Sequence, residues 1–333
     1  MHGRLTYLAL TVAIVSLLAT SFIEGPLVAP NAGAANTTTS TSTSTSTTTS
    51  TSTTTTTVGT TTTTTLGSSA PAPGFYLDIG GSASLGFQPD GIPHHNGHRT
   101  KQGYANDVGI LEAKSITLKL RQVGCPGETV QSMLGLLANV CNNLPTTQLT
   151  RSVDALINYG NEVGLVTIDL GFNNIRPCLM PKKVNEACVQ QGVNYVRRDL
   201  PKILQVLQGA AGPNVHFVGL EYSDPFLGYY LDGPTGPTVA SETLTAMTLM
   251  NTTLAHAYGG AGIPVANVPG SYRSANKNPE VTANVGTIPE DVAITCQWTW
   301  MCAPPPFGPD DHPNSAGYMI IARDIVATLP TAW

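Results

Sequence analysis

Short apolar runs rich in β-branched and aromatic residues alternate with amphipathic stretches in the chain after residue 73. Five such runs predict β-strands at 75–79, 116–123, 165–170, 215–220 and 263–268. The amphipathic stretches carry apolar residues at helical spacing: Leu149, Val153, Leu156 and Ile157; Val196, Leu200, Ile203, Leu204 and Leu207; Leu244, Met247, Leu254 and Ala257; Tyr318, Ile321, Ile325 and Leu329. Strands that alternate with helices predict βαβ units, and therefore an α/β fold whose mainly parallel sheet is covered by helices on both faces.

The N-terminal residues show a different pattern. Arg4 and Glu24 are the only charged side chains in residues 1–73, and an apolar run of about 19 residues lies between them. Small residues at Ala32 and Ala34 match a signal peptidase site. We therefore predict a secretory signal over 1–34 and a secreted, extracellular protein. The run is also long enough for the alternative, an uncleaved N-terminal membrane anchor that holds the domain outside the cytoplasm.

Residues 35–73 predict a linker. Within them, 37–65 contain 21 Thr, 6 Ser, one Val and one Gly, so this tract has no apolar surface whose burial would offset the entropy cost of ordering it. Its composition is typical of an O-glycosylated stalk or of a plain flexible spacer. The remaining segment, 74–333, has the length of one α/β domain.

Composition excludes some function classes. Of the 333 residues only 11% are charged, with 16 Lys and Arg against 21 Asp and Glu, and the pI is about 5.8. A nucleic-acid-binding protein normally carries a basic patch, so no nucleic-acid partner is expected.

All six cysteines lie in the predicted domain, and an even number in an exported chain indicates disulfides. Six cysteines allow 15 connectivities. Their spacing favours three local pairs, whereas the absence of ligand-type clusters makes zinc the weaker interpretation. The local pairs are Cys125–Cys141, Cys178–Cys188 and Cys296–Cys302.

Polar residues follow the first three predicted strands. In an open α/β sheet, ligands bind at these carboxyl ends of the strands. Ser82 follows the first strand, Gly124 the second and Asn173 the third, while His312 precedes the last helix. A serine with a histidine base is the chemistry of acyl transfer. The Ser82 amide, the Gly124 amide and the Asn173 side chain are the candidate oxyanion donors.

These segments resemble the four sequence blocks of the SGNH or GDSL-type hydrolases, in the family's order. Gly80-Gly81-Ser82-Ala83 is a GGS variant of the first block, Gly124 matches the second, Gly171-Phe172-Asn173 the third and His312-Pro313 the last. The runs 85–89 and 124–129 are similar to the secreted actinobacterial branch. The resemblance implies a three-layer α/β/α sandwich with a doubly wound sheet. It also implies an esterase, lipase or carbohydrate acyl-esterase that needs no cofactor or metal.

The chain departs from the family pattern at three acidic positions. Gly81 replaces the Asp of the first block, Asn174 the Asp of the third, and Pro309 the acid three residues before the histidine. We expect Asp310 to orient His312 instead, with the Asp311 carboxylate and the Pro309 carbonyl as alternatives.

The sequence therefore predicts a secreted, monomeric serine esterase or lipase that uses Ser82, His312 and Asp310. Its expected partner is a small-molecule, lipid or acylated-carbohydrate ester, and cell-wall association stays open. One alternative is a catalytically weak relative that binds polysaccharide or lipid at the cell surface. The other is a structural cell-wall protein whose function lies in the Thr-rich stalk.

Overall fold

The computed structural model describes residues 73–331, except 93–96, 113–114, 139–140, 142–143, 145 and 283–285. The predicted signal segment and all of the predicted linker up to residue 72 lie outside the described residues. No helix in the described ranges is both long and apolar enough to cross a membrane.

The strands of the described segments are, in chain order, β1 (Phe75–Gly80), β2 (Lys119–Gln122), β3 (Val163–Asp169), β4 (Leu179–Met180), β5 (Lys183–Val184), β6 (His216–Leu220), β7 (Val265–Ala266), β8 (Pro279–Thr282) and β9 (Gly286–Pro289). The α-helices are α1 (Tyr104–Glu112), α2 (Val130–Met133), α3 (Gln148–Tyr159), α4 (Phe172–Ile175), α5 (Glu186–Ala210), α6 (Gly236–Gly260), α7 (Val268–Ser271), α8 (Glu290–Trp298) and α9 (Ser315–Val326).

Five of these strands form one parallel sheet in the order β2-β1-β3-β6-β7. Relative to their order along the chain this is the doubly wound order 2-1-3-4-5, whose ligands bind at the carboxyl ends of the strands beside β1 and β3. The predicted parallel α/β sheet is thus confirmed. Strands β4 and β5, and likewise β8 and β9, form two separate antiparallel pairs.

The two faces of the sheet carry different helices. On β1, Leu77 and Ile79 pack into the core shared with α3, α5 and α6, whereas Tyr76 packs with α1 and α9 on the opposite face. This alternation follows from the two-residue period of a strand, whose successive side chains point to opposite faces. The three-layer α/β/α arrangement is therefore confirmed.

Some predicted boundaries were wrong. The second strand begins at Lys119 rather than at residue 116, because the Ile116 amide still bonds to Glu112 at the end of α1. In α3, Ile157 is 63% exposed, since Gln148, Ser152 and Leu156 form the buried side of this helix. Leu329 lies beyond the end of α9.

The three local disulfide pairs are confirmed. The Cα–Cα distances are 6.0 Å for Cys125–Cys141, 5.6 Å for Cys178–Cys188 and 5.0 Å for Cys296–Cys302. The first pair joins the loop that follows β2 to the segment before α3, close to the sheet edge where the first three strands end.

Candidate active site

Ser82 lies on a tight turn at the carboxyl end of β1. A single 3-10 turn, Ala83–Leu85, begins directly after it, and the amides of Leu85 and Phe87 both donate to the Ser82 carbonyl. Gly80 has no room for a side chain, because a Cβ there would lie 2.5 Å from the Asp169 carbonyl oxygen on β3. The turn is therefore closely packed against the neighbouring strand, and the Ser82 side chain lines a pocket at the sheet edge.

His312 reaches the same edge from the loop before α9. The Asn314 side chain caps this helix by accepting from the amides of Ala316 and Gly317, and the Tyr318 hydroxyl donates to the Phe87 carbonyl at 2.9 Å. These contacts join the His312 loop to the Ser82 turn. His312 Nε2 lies 2.7 Å from Ser82 Oγ, which is hydrogen-bonding distance.

The two acids before His312 have different partners. Asp310 Oδ1 lies 2.8 Å from His312 Nδ1 and also accepts from the His312 backbone amide at 2.9 Å. Asp311 Oδ1 is 3.9 Å from His312 Nδ1, and the Asp311 carboxylate is bound by the guanidinium of Arg176 through two hydrogen bonds. The structure therefore brings Ser82, His312 and Asp310 together in a chain of hydrogen bonds.

The surroundings of His312 favour its protonated form. Burial lowers the pKa of His312, but the hydrogen bond with Asp310 and the negative charges of Asp311 and Asp310 outweigh it, so the pKa lies above its ordinary value. The Arg176 charge acts in the opposite direction and lowers the pKa of His312. The nearby carboxylates stabilise the imidazolium that forms when His312 accepts a proton.

The predicted oxyanion donors lie around the same turn. A Cβ at Gly124 would lie 2.1 Å from Ser84 Oγ, so any side chain there would displace the Ser84 hydroxyl. The Asn173 side chain donates one hydrogen bond, from Nδ2 to the Glu128 carbonyl at 3.1 Å. Since a carboxamide has two N–H groups, the second remains for a ligand.

Two of the departures from the family pattern have a local explanation. A Cβ at Gly81 would lie 2.9 Å from Asn173 Nδ2, so any side chain there would press on that amide. Asn174 accepts from the Val130 amide and donates to Gln131 Oε1 at 2.6 Å, which joins α4 to α2. An aspartate at position 174 could not make the donated bond.

Two buried carboxylates lie beneath the turn. Asp78 on β1 accepts from the Tyr104 hydroxyl at 2.9 Å and from Thr167 Oγ1 at 2.8 Å, and burial raises its pKa to about 7. Asp169 ends β3 at the wall of the pocket, and burial raises its pKa as well. Neither residue belongs to the sequence blocks.

The pocket beside Ser82 has a volume of about 640 Å³ including its open mouth. Its lining includes Ser82, His312 and Asn173 together with the ring of Phe172 and the loop after β6, namely Glu221, Tyr222 and Ser223. Trp298 and Trp300 are not among its lining residues. Trp298 instead packs edge-on against Tyr272, with ring centroids 5.0 Å apart.

Arg176 also lines the pocket, and sequence reasoning missed it. The sequence signal that could have identified Arg176 is its position three residues after Asn173, at the end of a helical turn. Side chains three residues apart in such a turn lie on the same side of it.

Candidate metal ligands are the side chains of Asp310, Asp311 and His312, each of which offers one ligand atom. These three atoms lie within 4.8 Å of one another. These atoms already have protein partners: Asp310 and His312 bond to each other, and Asp311 is paired with Arg176. The donor set therefore fits a hydrogen-bonded base better than a metal centre.

No family model matches the chain, and no curated protein matches it. Among solved structures, phospholipase A1 from Streptomyces albidoflavus is 16% identical with a TM-score of 0.44, covering 76% of this chain and 100% of its own. An extracellular lipase from Streptomyces rimosus is 18% identical (TM-score 0.45, 76% and 99% covered). An acetyl-xylooligosaccharide esterase mutant from Geobacillus is 11% identical (TM-score 0.42, 79% and 98% covered).

At these identities the likeness is one of fold. The assignment to the SGNH or GDSL-type hydrolases rests on the four sequence blocks. The GGS variant of the first block and the secreted branch stay predictions.

Proposed function

We propose that the chain is a serine ester hydrolase of the SGNH type. One observation carries this proposal: Ser82 Oγ, His312 Nε2, His312 Nδ1 and Asp310 Oδ1 are connected by contacts of 2.7 and 2.8 Å at the wall of a pocket. This is the arrangement of a nucleophile, its general base and the acid that orients the base.

In the proposed reaction Ser82 Oγ attacks the ester carbonyl carbon while His312 Nε2 takes the hydroxyl proton. The tetrahedral intermediate collapses when the bond to the alcohol oxygen breaks, and His312 returns the proton to the leaving alcohol. Water then attacks the acyl-enzyme with His312 again as base, which releases the carboxylic acid and restores Ser82. No cofactor takes part in these steps.

The negative charge that develops on the carbonyl oxygen requires donors. We assign these to the Ser82 amide, the Gly124 amide and the Asn173 Nδ2 hydrogen that Glu128 leaves free. Asp310 holds the proton on His312 Nδ1, so that Nε2 is the basic nitrogen, and its charge stabilises the imidazolium.

The substrate we propose is a small-molecule, lipid or acylated-carbohydrate ester. The pocket supports this range because Phe172 offers an apolar wall whereas Glu221 and Ser223 offer polar contacts. We also propose that the protein is secreted and monomeric; three disulfides agree with an oxidising compartment. In the part of the chain that the structure describes, the contacts among Ser82, His312 and Asp310 support catalysis over a purely binding role.

Hydrolysis of p-nitrophenyl esters of increasing acyl length, and of acetylated sugars, tests the proposal with the full chain. Ser82→Ala and His312→Ala should abolish turnover, and a fluorophosphonate probe should label Ser82 alone. Ser241→Ala and His256→Ala are matched controls on the exposed side of α6 and should retain activity. Full turnover by Ser82→Ala would exclude this mechanism.

A further inference from the structure

The side chain of Gln148, the first residue of α3, is bonded to the backbone of β1 next to the nucleophile turn. Gln148 Oε1 accepts from the Gly80 amide at 2.9 Å, and Gln148 Nε2 donates to the Gly80 carbonyl at 3.0 Å. A carboxamide carries a donor and an acceptor in one plane, so it can pair with both polar groups of one residue as a neighbouring strand would. Gln148 is 1% exposed, so its side chain is buried where it makes these bonds.

Glu128, in the loop that follows β2, completes the connection. Gln148 Nε2 also donates to Glu128 Oε2 at 2.8 Å, and Ser132 Oγ donates to Glu128 Oε1 at 2.6 Å. The backbone carbonyl of Glu128 is the acceptor that holds the Asn173 carboxamide. The Gln148 side chain therefore joins the strand that carries Ser82 to the residue that orients Asn173.

The loop that carries the third proposed donor, the Gly124 amide, is also bonded to Gly80. The Cys125 amide, next to Gly124, donates to the Gly80 carbonyl at 2.9 Å. Gly80 thus receives bonds from α3 and from the loop that contains Gly124, and it lies two residues before Ser82. Each proposed oxyanion donor is therefore close to one of these bonds. Ser82 lies two residues after Gly80, Gly124 directly precedes Cys125, and the Asn173 side chain is bonded to the Glu128 carbonyl.

We propose that Gln148 and Glu128 are positioning residues that set the mutual geometry of the oxyanion donors. This inference rests on the proposed ester hydrolysis. Neither residue contacts the pocket, so neither is a catalytic residue. Because misplacement of reacting groups by about 1 Å can cost about 100-fold in rate, loss of the Gln148 bonds should act mainly on turnover.

Gln148→Leu removes the polar atoms at nearly constant size. We expect kcat to fall about 10- to 100-fold while KM changes by less than about twofold, since donors that act on the transition state affect kcat. Ser152→Ala is the matched control, because it removes one buried hydrogen bond from the same helix, one turn further on. It should leave kcat unchanged.

Exchange of the two side-chain types separates positioning from general stability. Gln148→Glu sets two carboxylates against each other and removes both donated bonds, so its kcat should be lower than that of Gln148→Leu. Adding Glu128→Gln to Gln148→Glu supplies a new donor to residue 148 and should recover part of the lost kcat. Glu128→Gln alone should be mild, because the Ser132 hydroxyl can rotate to accept instead of donate.

Kinetics per active site, counted by fluorophosphonate labelling, and hydrogen exchange of the Gly80 amide complete the test. A kcat of Gln148→Leu equal to that of Ser152→Ala would overturn the proposal, as would a loss that tracks only the fraction of unfolded protein. If the wild-type protein hydrolyses no ester, the proposed function fails. The exchange measurement still decides the connection in that case, since unchanged Gly80 exchange in Gln148→Leu would refute it.

Discussion

Replacement of Asp310 tests the assignment of the acid that orients His312. Asp310 Oδ1 accepts from both the His312 amide and Nδ1. In Asp310→Asn the carboxamide oxygen should stay in this place, because the amide NH₂ would otherwise face two donors. The asparagine variant therefore keeps the orientation of the imidazole and loses the charge, whereas Asp310→Ala loses both.

The two variants should differ in size of effect. A hydrogen bond to a charged acceptor exceeds a neutral one by about 1–2 kcal/mol, so Asp310→Asn should lower kcat about 5- to 30-fold. Asp310→Ala frees the imidazole to turn, and a loss of about 10²–10⁴ is expected. Both changes remove a cause that raises the pKa of His312. Because the base must be unprotonated, the acid limb of kcat/KM should move to lower pH.

Steady-state kinetics on a p-nitrophenyl ester between pH 4 and 9 measure these effects. Asp311→Asn is the comparison: its carboxylate is held by Arg176, so kcat should fall less than about tenfold while unfolding becomes easier by about 1–3 kcal/mol. If Asp310→Ala kept kcat within about threefold of wild type, Asp310 would not be the orienting acid, and the Pro309 carbonyl would take its place.

Three further changes have defined outcomes. Gly81→Asp, which restores the family residue, should lower kcat rather than raise it, because its Cβ would press on Asn173 Nδ2; equal or higher kcat would contradict this. Arg176→Gln should raise the pKa of His312 and move the acid limb of kcat/KM to higher pH, opposite to Asp310→Asn. The raised pKa of Asp78, about 7, means that the contribution of this carboxyl group to stability falls as pH rises from about 4 to about 7. Thermal unfolding should accordingly show Asp78→Asn to be stabilising at pH 8 but not at pH 4, whereas an equal shift at both would argue against a buried titrating carboxyl.

Much of the fold follows from the sequence because hydrophobic periodicity reports it directly. The buried strands β1 and β3 are mostly apolar, and the helices α5 and α9 carry apolar residues at helical spacing. Helix α1 was missed because its sequence shows little segregation of apolar and polar residues; it is held by Tyr104, which bonds to Asp78. The prediction of the buried side of α3 was also wrong. Gln148 and Ser152 are polar but buried, because they bond to the Gly80 carbonyl and to a backbone carbonyl of the same helix, and hydrophobic periodicity does not report such bonds.

The site residues also fall into two groups, those that local sequence signals indicate and those that only the fold brings together. Ser82, Gly124, Asn173 and His312 follow strand ends or precede a helix, so local signals indicate them. Arg176, Gln148 and Glu128 are defined by contacts across the fold. The pairing of Arg176 with Asp311 spans 135 residues and that of Gln148 with Gly80 spans 68, distances over which a single sequence carries no pairing information.

The proposed orienting acid, Asp310, lies two residues before His312 rather than three, and this position has a local physical basis. An aspartate side chain readily accepts from the amide two residues further on, which forms an Asx turn. Asp310 makes this bond to the His312 amide, and the same Oδ1 then lies 2.8 Å from Nδ1. The backbone of the base thus fixes the acceptor of its own side chain. An acid one residue before the histidine lacks this turn, and Asp311 is instead bound by Arg176. Position 310 is therefore the place in this loop where a carboxylate is held both by the turn and by the imidazole it orients.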